Sequence, residues 1–169
     1  RLLLYLSFLF RLKICLRKRI KFISIKNMTR ITKVSMGFLG AKVTSIIGFR
    51  SKDLLILEDE FKACSDILKV MTDDGSYGEQ GNVTVPLKEM LEQGEKFDMI
   101  ITIGPLIMMK FVVETARPYN TPVTVSMNPI MIDGTGMCGG CRLTLNIDGK
   151  KVTKFACVDG PDFNGYEID

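Results

Sequence analysis

The stretch from Asp133 to Cys141 constrains this chain more than any other feature. It sets Gly134, Gly136, Gly139 and Gly140 between a carboxylate, Asp133, and two thiols, Cys138 and Cys141, with a third thiol at Cys157. Glycines let a backbone wrap tightly around a small centre. Between Cys141 and Cys157, residues 142–147 and 150–156 read as two strands joined by Asp148 and Gly149, the dipeptide that favours two-residue hairpins. Pairing Ile147 with Lys150 sets the register. Cys141 then faces Ala156, Cys157 faces Gly140, and the third thiol returns beside the first two. The hairpin closes the site.

Three thiols and a carboxylate at this spacing form a metal-site pattern. A lone C-x2-C pair is weak, since it also suits a redox disulfide; the third cysteine at hairpin distance strengthens the metal reading. The chain has no histidine, so zinc would need an oxygen ligand or one of the remaining cysteines, Cys15 and Cys64. Iron-sulfur binding through Asp133, Cys138, Cys141 and Cys157 is the preferred reading, with backbone N–H groups aimed at the sulfurs tuning the potential. Asp133 reads equally well as a turn residue. Without histidine, neither a Ser/His/Asp triad nor a Cys/His pair is available.

Upstream, apolar runs alternate with amphipathic ones. Strands are expected at 43–49, 67–71, 97–103 and 122–127, and helices at 53–64, from Thr84 as cap with Pro86 in its first turn, and at 106–116. This alternation predicts an α/β fold, a parallel sheet covered on both faces. Ligands of such sheets bind beyond the carboxyl ends of the strands. The loops there carry Gly48 and Arg50, then Asp73, Asp74 and Gly75, then Gly104 and Pro105. Each has a plain structural reading beside the functional one: a solvated strand-end charge, a turn, a break between strand and helix. Met108 and Met109 read as core filling, and Cys64 as a buried thiol.

The segments Asn128 to Cys141 and Phe155 to Phe163, with Ser45 to Arg50, Thr72 to Gly81 and Phe97 to Pro105 upstream, carry a family resemblance. From about Leu39 to Asp169 the chain resembles the small flavin subunit of NADH-dependent ferredoxin:NADP oxidoreductases, also described as sulfide dehydrogenase. It is similar as well to the electron-transfer subunit of dihydroorotate dehydrogenase. The resemblance implies a parallel-sheet nucleotide-binding domain of ferredoxin-reductase type, truncated, over 39–128, and a small C-terminal β-hairpin iron-sulfur module over 129–169. It implies a 2Fe-2S cluster on Asp133, Cys138, Cys141 and Cys157. NAD(H) or NADP(H) would lie along the strand-end loops, with Arg50 toward the adenosine and Gly104 and Pro105 toward the nicotinamide. It further implies FAD in the complete subunit, an electron-transport role as part of an oxidoreductase, a larger flavin and iron-sulfur partner in a heterodimer, and ferredoxin.

The first forty residues fit this picture poorly. They hold ten of the 23 Lys and Arg and none of the 19 Asp and Glu, so the net charge of +4 is the work of one end. The apolar run from Leu2 to Phe10 is far short of the roughly 20 residues that span a bilayer, and the order of apolar and basic blocks does not suit a secretory signal. A polyanion-binding arm, a divergent helix and a sequence foreign to the domain are the competing readings. The adopted reading treats 1–38 as unrelated to the family, the product of a truncated or frame-shifted gene model, with the FAD domain missing. The expected protein binds no nucleic acid, has no membrane span and sits in the reducing cytoplasm. It relays electrons, and alone it is expected to carry little FAD. A zinc-stabilised interaction module and a non-catalytic nucleotide-binding subunit are the alternatives.

Overall fold

A computed structural model of the chain describes residues 20–24 and 42–169. Its centre is a seven-stranded sheet of β1 (Ile20–Ser24), β2 (Val43–Phe49), β3 (Ile67–Thr72), β4 (Glu79–Gln80), β5 (Met99–Ile103), β6 (Val123–Ser126) and β9 (Asp162–Asn164). The spatial order is β4-β3-β2-β1-β5-β6-β9. Every pairing is parallel except the last, where β9 runs antiparallel to β6. A two-stranded ribbon, β7 (Arg142–Ile147) with β8 (Lys150–Phe155), stands apart from it.

All seven residues of β2 are buried, as a strand covered on both faces requires. Successive side chains take opposite faces. Ile46 packs with α2 (Thr84–Glu92) and α3 (Leu106–Ala116), while Ile47 and Phe49 pack with Phe61 of α1 (Glu58–Cys64). Met108 and Met109 lie in the larger core, as expected of gap-filling methionines.

The structure departs from the sequence expectations in two places. The helix expected over 53–64 is broken: a 3-10 turn spans Lys52–Leu54, and α1 begins only at Glu58, after Leu57 in a left-handed conformation (φ 59). Leu54 and Leu57 are therefore 42% and 43% exposed instead of facing the core. Thr84 is the first residue of α2 rather than its cap, and no side chain caps that helix.

A third observation bears on the segment before residue 39. Ile20–Ser24, within the segment set apart by composition, lies between β2 and β5, with Ile20 opposite both Val43 and Met99. The α/β unit therefore takes its middle strand from sequence that composition had separated from it. The rest of the expectations for 1–38, Cys15 among them, fall outside the described residues. Among the described residues no helix is long and apolar enough to cross a membrane.

Candidate metal centre

The hairpin has the expected register, with Ile147 opposite Lys150 and Arg142 opposite Phe155. Asp148 (φ 51) and Gly149 (φ 78) turn the chain in the left-handed region, the backbone that a two-residue turn between twisted strands demands. Beyond the ladder, the Ala156 N–H donates to the Cys141 carbonyl at 3.0 Å. That bond carries Cys157 back to Cys141. Their sulfurs stand 3.1 Å apart, and the Cys157 N–H donates to Cys141 Sγ at 3.4 Å.

Cys141 is 2% exposed and Cys157 half-buried. The Cys157 thiol and backbone N–H pull the Cys141 thiol below its ordinary pKa, and the same contact to Cys141 pushes Cys157 up. The two thiols therefore titrate as a pair, with Cys141 the first to ionise. The Gly136 N–H also favours the ionised form of Cys157.

Asp133 and Cys138 meet in the preceding loop. Asp133 Oδ1 accepts the Thr135 N–H at 2.8 Å, the local turn its alternative reading called for. That bond, followed by smaller contributions from the Cys138 thiol and N–H, holds the Asp133 carboxyl below the usual carboxylate range. Cys138 is exposed, and its sulfur accepts the Gly140 N–H at 3.5 Å.

The donors therefore fall into two pairs, Cys141 with Cys157 and Asp133 with Cys138. Among the described residues no three His, Cys, Asp or Glu side chains gather closely enough to hold a single metal ion. Thiolates with backbone N–H groups turned onto each sulfur are the donor chemistry that iron-sulfur groups use. The residues present fit such a group better than they fit a tetrahedral zinc.

The other candidate residues lie on the carboxyl rim of the sheet. Gly48 sits inside β2, within the strand expected over 43–49, and is paired with Met71. The β2 and β3 loops are tied together by Asp73 N–H to Phe49 O at 3.1 Å and Asp74 N–H to Arg50 O at 3.3 Å. Asp74 Oδ1 accepts the Ser76 hydroxyl at 2.6 Å and its N–H at 3.0 Å, which lowers the carboxyl pKa. Gly75 (φ 71) and Gly78 (φ 68) complete this turn. A Cβ on Gly78 would meet the Val70 carbonyl oxygen at 2.3 Å, so glycine is required there. Gly104 and Pro105 begin α3, Pro105 at its cap. Strand β1 separates β2 from β5, so at the usual strand spacing the β2 loop stands about 10 Å from the third and the β3 loop about 14 Å. Arg50, Asp73, Asp74, Gly75, Gly104 and Pro105 thus follow one edge of the sheet.

Sequence reasoning missed Asp162. It lies opposite Ser126 at the rim end of β6, half-buried. Burial raises its carboxyl pKa, and a hydrogen bond with Ser126 partly offsets this. Its neighbours Gly160 and Pro161 suggest only a loop.

Residues 128–169 match the family described as the iron-sulfur cluster binding domain of dihydroorotate dehydrogenase B. The chain is similar to a dihydroorotate dehydrogenase B (NAD(+)) electron transfer subunit homolog of Thermotoga maritima, 52% identical over 130 residues, covering 77% of this chain and 44% of that protein. A probable electron transfer subunit of the same enzyme from Methanocaldococcus jannaschii is 48% identical over 129 residues, covering 76% and 47%. Among solved structures, that of an NADH-dependent reduced ferredoxin-NADP oxidoreductase superposes with a TM-score of 0.73 at 43% identity, over 89% of this chain and 54% of that one. The resemblance read from the motifs is borne out. The chain spans less than half the length of these curated relatives.

Proposed function

From a chain whose residues 128–169 match an iron-sulfur cluster binding domain, we propose a portion of an oxidoreductase subunit that relays electrons through a 2Fe-2S cluster. The cluster would be held by Cys141 and Cys157 on one side and by Asp133 and Cys138 on the other. The single observation that carries this reading is the pairing of donors. Two pairs suit a group with two metal atoms, and among the described residues no set of three suits one ion. When bound, such a cluster supplies one-electron chemistry, the form needed to draw on a two-electron nicotinamide donor.

The chain's own residues supply position and polarity. The hairpin register fixes two sulfurs, the Gly140 and Cys157 N–H groups favour anionic sulfur, and Asp133 adds a harder oxygen donor. The rim residues Arg50, Asp73, Asp74, Gly75, Gly104 and Pro105, with Gly48 beneath them, form the proposed NAD(H) or NADP(H) site. FAD, a larger flavin and iron-sulfur partner subunit and ferredoxin belong to the complete assembly in this reading.

Chemical analysis of the anaerobically purified chain tests it. About two irons and two acid-labile sulfides per chain are expected for a 2Fe-2S protein, and one zinc without sulfide would replace the reading with a zinc-stabilised module. Asp133→Ala should lower the iron content or shift the visible spectrum and potential. Asp133→Asn, which keeps an oxygen for the Thr135 N–H, should preserve the loop yet still alter the spectrum. Unchanged spectra in both would reduce Asp133 to a turn residue.

A further inference from the structure

We propose that Cys141 and Cys157 form a modification site: a thiol pair that a small-molecule disulfide closes into an intrachain disulfide, in competition with cluster loading. The competition, though not the bond, rests on the function proposed above. Sequence habit would choose Cys138 and Cys141, the C-x2-C pair, as the oxidisable couple. The geometry selects another. Cys138 Sγ is turned to the Gly140 N–H and the Asp133 carboxylate, whereas Cys141 Sγ faces Cys157 Sγ at 3.1 Å. Closing that gap to a bond of about 2.05 Å takes roughly 1 Å of movement. The hairpin ladder ends beside both cysteines, and the Ala156 N–H bond to the Cys141 carbonyl ties the two strands together at that point.

Exposure orders the steps. Cys157, half-buried, is the sulfur an external disulfide can reach, while Cys141 at 2% exposed is not. Cys157 Sγ gives up its proton across the 3.1 Å contact to Cys141 Sγ and attacks oxidised glutathione, forming a mixed disulfide and releasing one glutathione. The Cys141 thiolate then attacks Cys157 Sγ, the mixed disulfide breaks, and a second glutathione leaves. Two protein thiols are oxidised, one glutathione disulfide is reduced, and the two thiol protons pass to the departing glutathiones. The new bond removes two of the four donors.

The full chain, reduced, freed of iron and kept anaerobic, is treated with oxidised glutathione, alkylated and mapped by mass spectrometry. The expected product is a peptide cross-linked between Cys141 and Cys157, with Cys138 and Cys64 alkylated. It should persist in Cys138→Ser and vanish in Cys157→Ser. A Cys138 to Cys141 cross-link, stable glutathione adducts without a cross-link, or full alkylation would overturn the proposal. The oxidised chain offered ferrous iron and sulfide should take up neither until a thiol reductant is added. Equal uptake before and after reduction would overturn the competition. Uptake by a chain that never forms the bond sinks this proposal and leaves the cluster reading intact. A bond that forms in a chain taking up no iron even when reduced overturns the competition and the cluster reading together.

Discussion

Asp162 shows how one residue couples the sheet to the surface chemistry of the rim. Its carboxyl is harder to ionise in the folded protein than in the unfolded chain because burial disfavours the charge. With the folded pKa above the unfolded one, the stability from this group is fully present below the unfolded value. It is lost as pH rises through the folded value. Asp162→Asn should therefore raise the melting temperature at neutral pH, and the gain should shrink toward acid pH. A gain that grows on acidification would contradict the assignment. Asp133 is the opposite case, exposed and with its pKa lowered first by the Thr135 N–H. Both of its sequence readings survive at this scale, since an aspartate that closes a local turn also has the Cys138 thiol and N–H beside its carboxyl.

At the scale of elements, the hairpin was the most legible feature and the most consequential. Asp148 and Gly149 announce their turn by residue type, and the turn fixes a register that brings Cys157 to Cys141. Gly149 has φ 78 and open space around it, with nothing within 4 Å of an added Cβ. Gly149→Val should thus cost about 1–2 kcal/mol through backbone conformation alone. Its effect should be visible as a lower melting temperature and, at the far end of the ladder, as weaker iron retention. A full-stability Gly149→Val variant would mean that the turn does not set the register.

Other elements were less legible for identifiable reasons. Nothing in a leucine announces the left-handed turn at Leu57 that splits the expected helix. β9 is three residues long and follows a Gly-Pro pair, so neither length nor alternation marks it. β1 lies in sequence whose basic composition drew attention from its short apolar stretch. The pairing of donors was only half legible. Register could place the two hairpin thiols, but not the turn that sets Asp133 against Cys138.

Across the whole molecule, the ribbon and the sheet share one core. Cys141, Leu145 and Ala156 are buried in the same cluster as α3, β6 and Phe163 of β9. The Tyr166 hydroxyl donates to the Thr121 carbonyl, and the Gly165 N–H donates to Val123 O at 2.8 Å. Phe163→Ala should cost about 3–5 kcal/mol, and it should weaken iron retention although Phe163 is not one of the proposed donors. Retention unchanged in a destabilised variant would show the ribbon holding its shape without the sheet.

The antiparallel return of β9 has a consequence for how such a protein can vary. Ser126 and Asp162 are direct cross-strand partners, so the intervening chain leaves and re-enters at a single seam. A segment whose two feet stand side by side can be lengthened, trimmed or exchanged while the strands at its base keep their places. The stretch that carries the proposed donors is in this sense a cassette, free to vary wherever it leaves the shared core intact.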